Sequence, residues 1–252
     1  MLKQTLCLAF VLLSSLTTPS FAAETDEPAT IEGANALLDE GDEEGATELF
    51  RQIAMKDTPE GHYAICRLSN EGLGQEVDAV LALKECRIAA EKGYAEAQFT
   101  LGAMYENGLG APVQERTAVY WYAQAILQGH TDAELNLANM MFEGRGIAKN
   151  PEKAVTLLKH AIESDAPLAQ YSLALAYADG EGVKQDFAKA NELWKLAADQ
   201  EVPEAQTSYG VSLCEGRGIT KDVKAGKEWI QKAIDQEFES AKEALAKCEE
   251  TK

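Results

Sequence analysis

Five cysteines, three histidines and a recurring Gly-x-Gly are the residues of this 252-residue chain whose types and spacing could do chemistry. Cys7 lies in an N-terminal apolar run; Cys66, Cys86, Cys214 and Cys248 lie in the body, where four thiols allow three disulfide connectivities. Metal ligation is the competing chemistry. It asks for a Cys-x-x-Cys pair or clustered histidines, whereas His62, His130 and His160 share no ligand spacing, so no metal and no cofactor are expected. Gly-x-Gly stands at Gly72/Gly74, Gly108/Gly110, Gly144/Gly146, Gly180/Gly182 and Gly216/Gly218. A dinucleotide loop would follow a strand and carry a third Gly. These pairs follow helical patterns and recur throughout, so they read as structural turns. Ser, His and Asp are scattered without a nucleophile elbow, and neighbours such as Glu43-Glu44 belong to solvated acidic faces. The chain is therefore expected not to be an enzyme, a hydrolase being the third-ranked alternative.

Charge narrows the field further. Against 23 Lys and Arg stand 42 Asp and Glu, a net charge of −19. That sign repels phosphate backbones and anionic lipid surfaces, which argues against nucleic-acid binding and polybasic membrane attachment. With 46% hydrophobic and 26% charged residues the composition is globular. The start of the chain has the features of an export signal: a basic Met1-Leu2-Lys3, an apolar run from Leu6 to Leu16, and small residues around Ser20-Phe21-Ala22. The run is too short for the ~30 Å core of a bilayer. Residues 1–22 are read as a signal peptide cleaved after Ala22, and 23–30 as a disordered acidic leader. Cys7 comes too early to be a lipoprotein cysteine. A periplasmic or secreted protein is expected, with no membrane insertion after cleavage.

The elements that position these residues come from an internal repeat. The Gly-x-Gly pairs recur every 36 residues, and other series keep the same frame. Ala89, Ala125, Ala161, Ala197 and Ala233 are one series; Cys66, Gly102, Ala138, Ala174 and Gly210 form a second, all small. Each unit reads as two helices. In the third, Ala133, Leu137, Ala138 and Met141 make an apolar stripe, and Gly144 ends the helix. Asn150 then caps a second helix with Pro151 at its first position, and Asp78, Asp186 and Asp222 are equivalent caps, each worth ~1 kcal/mol. One hairpin cannot bury its apolar face alone, so stability must come from stacking. The fold class is all-α: a right-handed α-solenoid of stacked antiparallel hairpins. Its organisation is an N-terminal capping hairpin at 31–58, five repeats (59–94, 95–130, 131–166, 167–202 and 203–237), and a C-terminal capping helix at 238–252.

That frame chooses among the cysteine connectivities. Cys66 and Cys86 lie about equally far before and after their inter-helix turn, so an antiparallel hairpin sets them at one height. Cys214 ends the first helix of the last unit, and Cys248 occupies a nearby level on the closing helix. The expected bridges are Cys66–Cys86 and Cys214–Cys248, each worth ~3 kcal/mol on the chain-entropy account.

The pattern Ala-x-x-x-Leu-Gly-x-x-Tyr-x-x-Gly-x-Gly at Ala97–Gly110, with an Asp-x-x-Lys-Ala second helix as at Asp186–Ala190, resembles the SEL-like repeat family, relatives of the tetratricopeptide repeats. The resemblance covers roughly 60–237 and is best at 95–129 and 167–201. The first unit departs from it, with Cys66, Ser69, Glu85 and Cys86 where the family usually has Gly, Tyr, Trp and Tyr. It implies a scaffold or adaptor. Many such bacterial proteins are exported, some are disulfide-bonded, some are linked to cell-wall sugars and others protect the producing cell from secreted toxins.

By analogy with tetratricopeptide arrays, the first helices line a concave face. Tyr63, Phe99, Leu135, Tyr171 and Thr207 are expected to point into it, followed four residues on by Arg67, Ala103, Asn139, Leu175 and Val211, with Phe142 a turn later in the third unit. The partner-binding set is thus Tyr63, Phe99, Leu135, Asn139, Phe142, Tyr171 and Leu175, bordered by Glu106, Glu143, Asp179 and Glu215. Apolar anchors with a charged rim suit a protein-binding groove. The competing assignment makes these side chains core between neighbouring helices. Alanine at both Phe99 and Tyr171 separates the two: stability unchanged for a groove, lowered by several kcal/mol for a core. The expected function is an exported, non-enzymatic scaffold for another protein, a basic one suiting the charge, of the immunity or adaptor kind; peptidoglycan binding or envelope assembly is the alternative.

Overall fold

The computed structural model describes residues 29–250, and among these every regular element is helical. A capping hairpin, α1 (Ile31–Asp39) and α2 (Glu43–Ala54), precedes five further hairpins. These are α3 (Pro59–Glu71) with α4 (Ala79–Glu91), α5 (Ala95–Asn107) with α6 (Glu115–Ile126), and α7 (Thr131–Glu143) with α8 (Pro151–Ala161). A short 3-10 turn at Ile162–Ser164 leads to α9 (Pro167–Asp179) with α10 (Phe187–Asp199), then α11 (Pro203–Glu215) with α12 (Val223–Asp235), and α13 (Ser240–Glu250) closes the stack. The chain is an α-solenoid with a 36-residue repeat. The expected signal peptide, its cleavage after Ala22 and most of the expected leader lie outside the described residues. Thr30, assigned to that leader, instead accepts a hydrogen bond from the Gly33 amide and caps α1.

The boundaries follow from capping chemistry. Gly144 takes the left-handed conformation (φ +78°) and its amide bonds the Met140 carbonyl, ending α7 where a side chain would be strained. Asp78, Asn150, Asp186 and Asp222 accept from the amide three residues on, at 2.9–3.1 Å, as their types require. The second Gly of each pair has a different task. A Cβ on Gly182 would lie 2.3 Å from the Pro151 carbonyl oxygen, at the start of the preceding unit's second helix. Consecutive units approach backbone to backbone there.

Within each hairpin a small residue meets a large one. Gly102 faces Tyr122 so closely that a Cβ would come within 2.7 Å of the ring, and Ala138/Leu158, Ala174/Trp194 and Gly210/Ile230 stand at the same two frame positions. In the first full unit those positions hold Cys66 and Cys86, which form a disulfide with Cα atoms 5.2 Å apart. The bridge replaces the small–large contact at the crossing. Cys214 and Cys248 form the second disulfide, Cα–Cα 5.6 Å, tying α13 to α11 over a buried cluster of Ile230, Ala233 and Ala241. Disulfides persist in oxidising compartments rather than the cytosol. No helix among the described residues is long and apolar enough to cross a membrane.

Candidate partner-binding site

Between the first helices of the third and fourth units, α7 and α9, lies a cleft of about 360 Å³. Asn139, Phe142 and Glu143 come from α7, and Ser172, Leu175, Ala176 and Asp179 from α9; Lys149 and Glu181 close one end from the loops that follow. The i, i+3 and i, i+4 spacings along each helix bring these residues to one face. Phe142 is half-buried against the α8–α9 core, while Leu175 keeps 37% of its surface exposed. The floor is apolar and the rim carries three carboxylates. Lys149 Nζ reaches Glu181 Oε1 at 2.8 Å, and Arg145 bridges Glu143 to Glu106, bonding the latter at 2.8 Å. Among the described residues no cation lies within ion-pair range of Asp179.

Three of the seven residues assigned to a binding strip from sequence, Asn139, Phe142 and Leu175, meet in this cleft, together with the rim residues Glu143 and Asp179. The other four lie elsewhere. Tyr63 is only 6% exposed and packs on Tyr94, ring centroids 5.1 Å apart. Phe99 stacks on His130 at 4.4 Å, and Leu135 and Tyr171 are half-buried against inter-unit clusters. Burial and the neighbouring Glu106 carboxylate push the Tyr122 hydroxyl well above the usual tyrosine range; it donates to Glu106 at 2.6 Å and accepts from Asn136 at 3.1 Å. Burial also lowers the His130 imidazole below its ordinary value, only partly offset by Asp132 and Glu96.

Sequence reasoning missed a second, buried frame. Gln98, Glu134, Gln170 and Gln206, each following a buried Ala, are nearly inaccessible. Gln98 accepts from Gln128 at 2.7 Å, Gln170 from Gln200 at 3.2 Å and Gln206 from Gln236 at 2.9 Å, while Glu134 holds His160 Nδ1 at 2.6 Å. The signal was a polar residue recurring beside a framing small one. Its role was hidden because each partner lies at the far end of the same hairpin.

His62, in the matching position of the first unit, has Nδ1 on Glu85 at 2.8 Å and Nε2 on Asp57 at 3.0 Å.

A family model described as Sel1 repeat matches residues 59–94, 95–130, 131–165, 167–202 and 203–238. Among solved structures, a Sel1 repeat protein from Oxalobacter formigenes is similar with a TM-score of 0.75 at 28% identity, over 87% of each chain. Protein c5321, a protective antigen present in uropathogenic Escherichia coli strains and displaying an SLR fold, gives 0.68 at 27% identity, over 86% of this chain and 47% of that one. Immunity protein Pa5087 from Pseudomonas aeruginosa gives 0.55 at 18% identity over 81% of each chain, a likeness of fold alone. No curated protein matches this chain.

Proposed function

We propose that this chain, which belongs to the Sel1 repeat family, is an exported, non-enzymatic scaffold that holds a basic protein against its first-helix face. Sel1 repeat proteins generally mediate protein–protein interaction. The observation that carries the reading is the α7–α9 cleft, where an apolar floor meets a carboxylate rim on a chain of net charge −19. Such a surface steers a cationic partner into encounter and anchors it by apolar contact. Export is supported by the N-terminal sequence pattern and by the two disulfides. An adaptor or immunity protein of the bacterial envelope fits these properties.

The test is a pull-down with the oxidised, tagged protein from its native envelope fraction, at low and high salt, read by mass spectrometry. A discrete basic protein, retained at low salt and weakened by high salt, is the expected result. Recovery of wall fragments without protein would overturn it in favour of peptidoglycan binding.

A further inference from the structure

Resting on that reading, we infer that the α7–α9 cleft is an anchor site for an extended segment of the partner with the pattern apolar–x–Arg/Lys. The repeat frame itself singles out this cleft. At the two positions held by Phe142 and Leu175, the other junctions between neighbouring first helices carry Asn70 and Ala103, Glu106 and Asn139, and Ala178 and Val211. Two periods further on, the same cleft recurs between α11 and α13, with a volume of about 320 Å³. There Cys214 stands for Phe142 and Lys247 for Leu175, and Cys248 takes the place of Ala176. A disulfide and a lysine thus occupy what in the middle of the array is an aromatic ring facing a leucine. Only at the third junction are both side chains large and apolar, and there Leu175 is left partly in solvent.

The rim defines the second half of the pattern. Glu143 and Glu181 already have Arg145 and Lys149, whereas Asp179 has no cation in range among the described residues. Asp179 follows Leu175 by one helical turn, ~6 Å along the axis. Two residues of extended chain advance ~6.6 Å and return to the same side. An apolar side chain seated between Phe142 and Leu175 therefore sets the side chain two residues away beside the Asp179 carboxylate, where Arg or Lys completes an ion pair. Asn139 and Ser172 line the cleft between them as hydrogen-bonding groups for the segment's backbone.

The experiment uses the oxidised protein and a short fluorescein-labelled peptide with Leu-x-Arg centred in a Gly/Ser/Thr sequence, followed by anisotropy. Leu175→Glu is the decisive variant, because it adds negative charge while removing the apolar wall. Diffuse attraction to an acidic protein would tighten binding; an anchor site loses affinity by about tenfold or more. Loss of binding in Leu175→Glu with unchanged circular dichroism, and again when the peptide Leu becomes Ser or its Arg becomes Glu, is the expected result. Equal or tighter binding in Leu175→Glu, or no peptide binding at all, overturns the anchor. The envelope pull-down stands apart from this result: a basic protein still captured there by the Leu175→Glu variant would sink the anchor and leave the scaffold reading standing.

Discussion

His130 shows how one side chain couples burial, packing and pH. It stands at the N-cap of α7 with no side-chain capping bond, its ring stacks on Phe99 of α5, and its Nδ1 is buried without a hydrogen-bond partner among the described residues. Burial lowers its pKa from the ordinary 6.5, with the carboxylates of Asp132 and Glu96 opposing the shift. The folded chain favours the neutral ring, so the unfolded chain binds more protons just below the ordinary value. This contribution is fully present above 6.5 and is lost as pH falls through 6.5 toward the lower folded-state value. Urea unfolding of the wild type should therefore show stability declining from pH 7.5 to 5.5, and His130→Gln should flatten that decline; a variant with the wild-type slope would remove His130 as its source. The same contact supports a structural role for Phe99. Its ring is half-buried, so Phe99→Ala should lose about 2 kcal/mol in the same assay, roughly half the loss for a fully buried Phe. Unchanged stability would return Phe99 to the binding strip assigned from sequence.

Loops and helix ends distinguish positions that look alike as letters. Both residues of each Gly-x-Gly read from sequence as turn glycines, and the first of each pair is a left-handed cap, as at Gly144. The second, at Gly110, Gly146, Gly182 and Gly218, faces a backbone in the previous unit, a contact between residues far apart in sequence that local pattern reading does not reach. At Gly182 an added Cβ would meet the Pro151 carbonyl oxygen and the Glu152 amide nitrogen in a left-handed backbone, so Gly182→Ala combines overpacking with a conformational penalty. A loss of about 3 kcal/mol is expected in urea unfolding, and a loss below 1 kcal/mol would show that the units slide apart cheaply. The opposite sign is expected where the turn after the second helix holds a non-glycine at positive φ. Gly93 and Gly129 fill this turn in two units, but Asp165, Glu201 and Glu237, at φ +55°, +65° and +63°, fill it in the next three. Glu201→Gly should gain up to ~1 kcal/mol, the relief of left-handed strain less the added freedom of the unfolded chain. The helices, caps and both disulfides were legible in sequence because each repeats, or breaks, a fixed frame. The cleft was legible only in part: Asn139, Phe142 and Leu175 share a face by helical period, but where a cleft opens between neighbouring units depends on packing between hairpins.

At the scale of the molecule, stability should behave as a sum over neighbours. Each hairpin packs on the one before and the one after, so the two ends carry surfaces that must be covered by something other than a repeat. Before the first full repeat α1 and α2 pack on α3; after the last, α13 packs on α11 and α12, held by Ala241 and by the Cys214–Cys248 bridge over Ile230 and Ala233. Truncation after Glu237, with Cys214→Ser to avoid an unpaired thiol, uncovers that cluster and removes a cross-link worth ~3 kcal/mol. In a nearest-neighbour array the damage stays local. Amide hydrogen exchange should show α11 and α12 losing most of their protection, α9 and α10 losing less, and α3 to α6 holding theirs, pinned by Cys66–Cys86 and by the N-terminal hairpin. The α7–α9 cleft lies inside the retained part, so a partner anchored there should still bind the truncated chain with near wild-type affinity. Uniform loss of protection from α3 to α12 would mean instead that the array folds as one cooperative unit, with the closing helix as much a part of the binding face as the residues that line it.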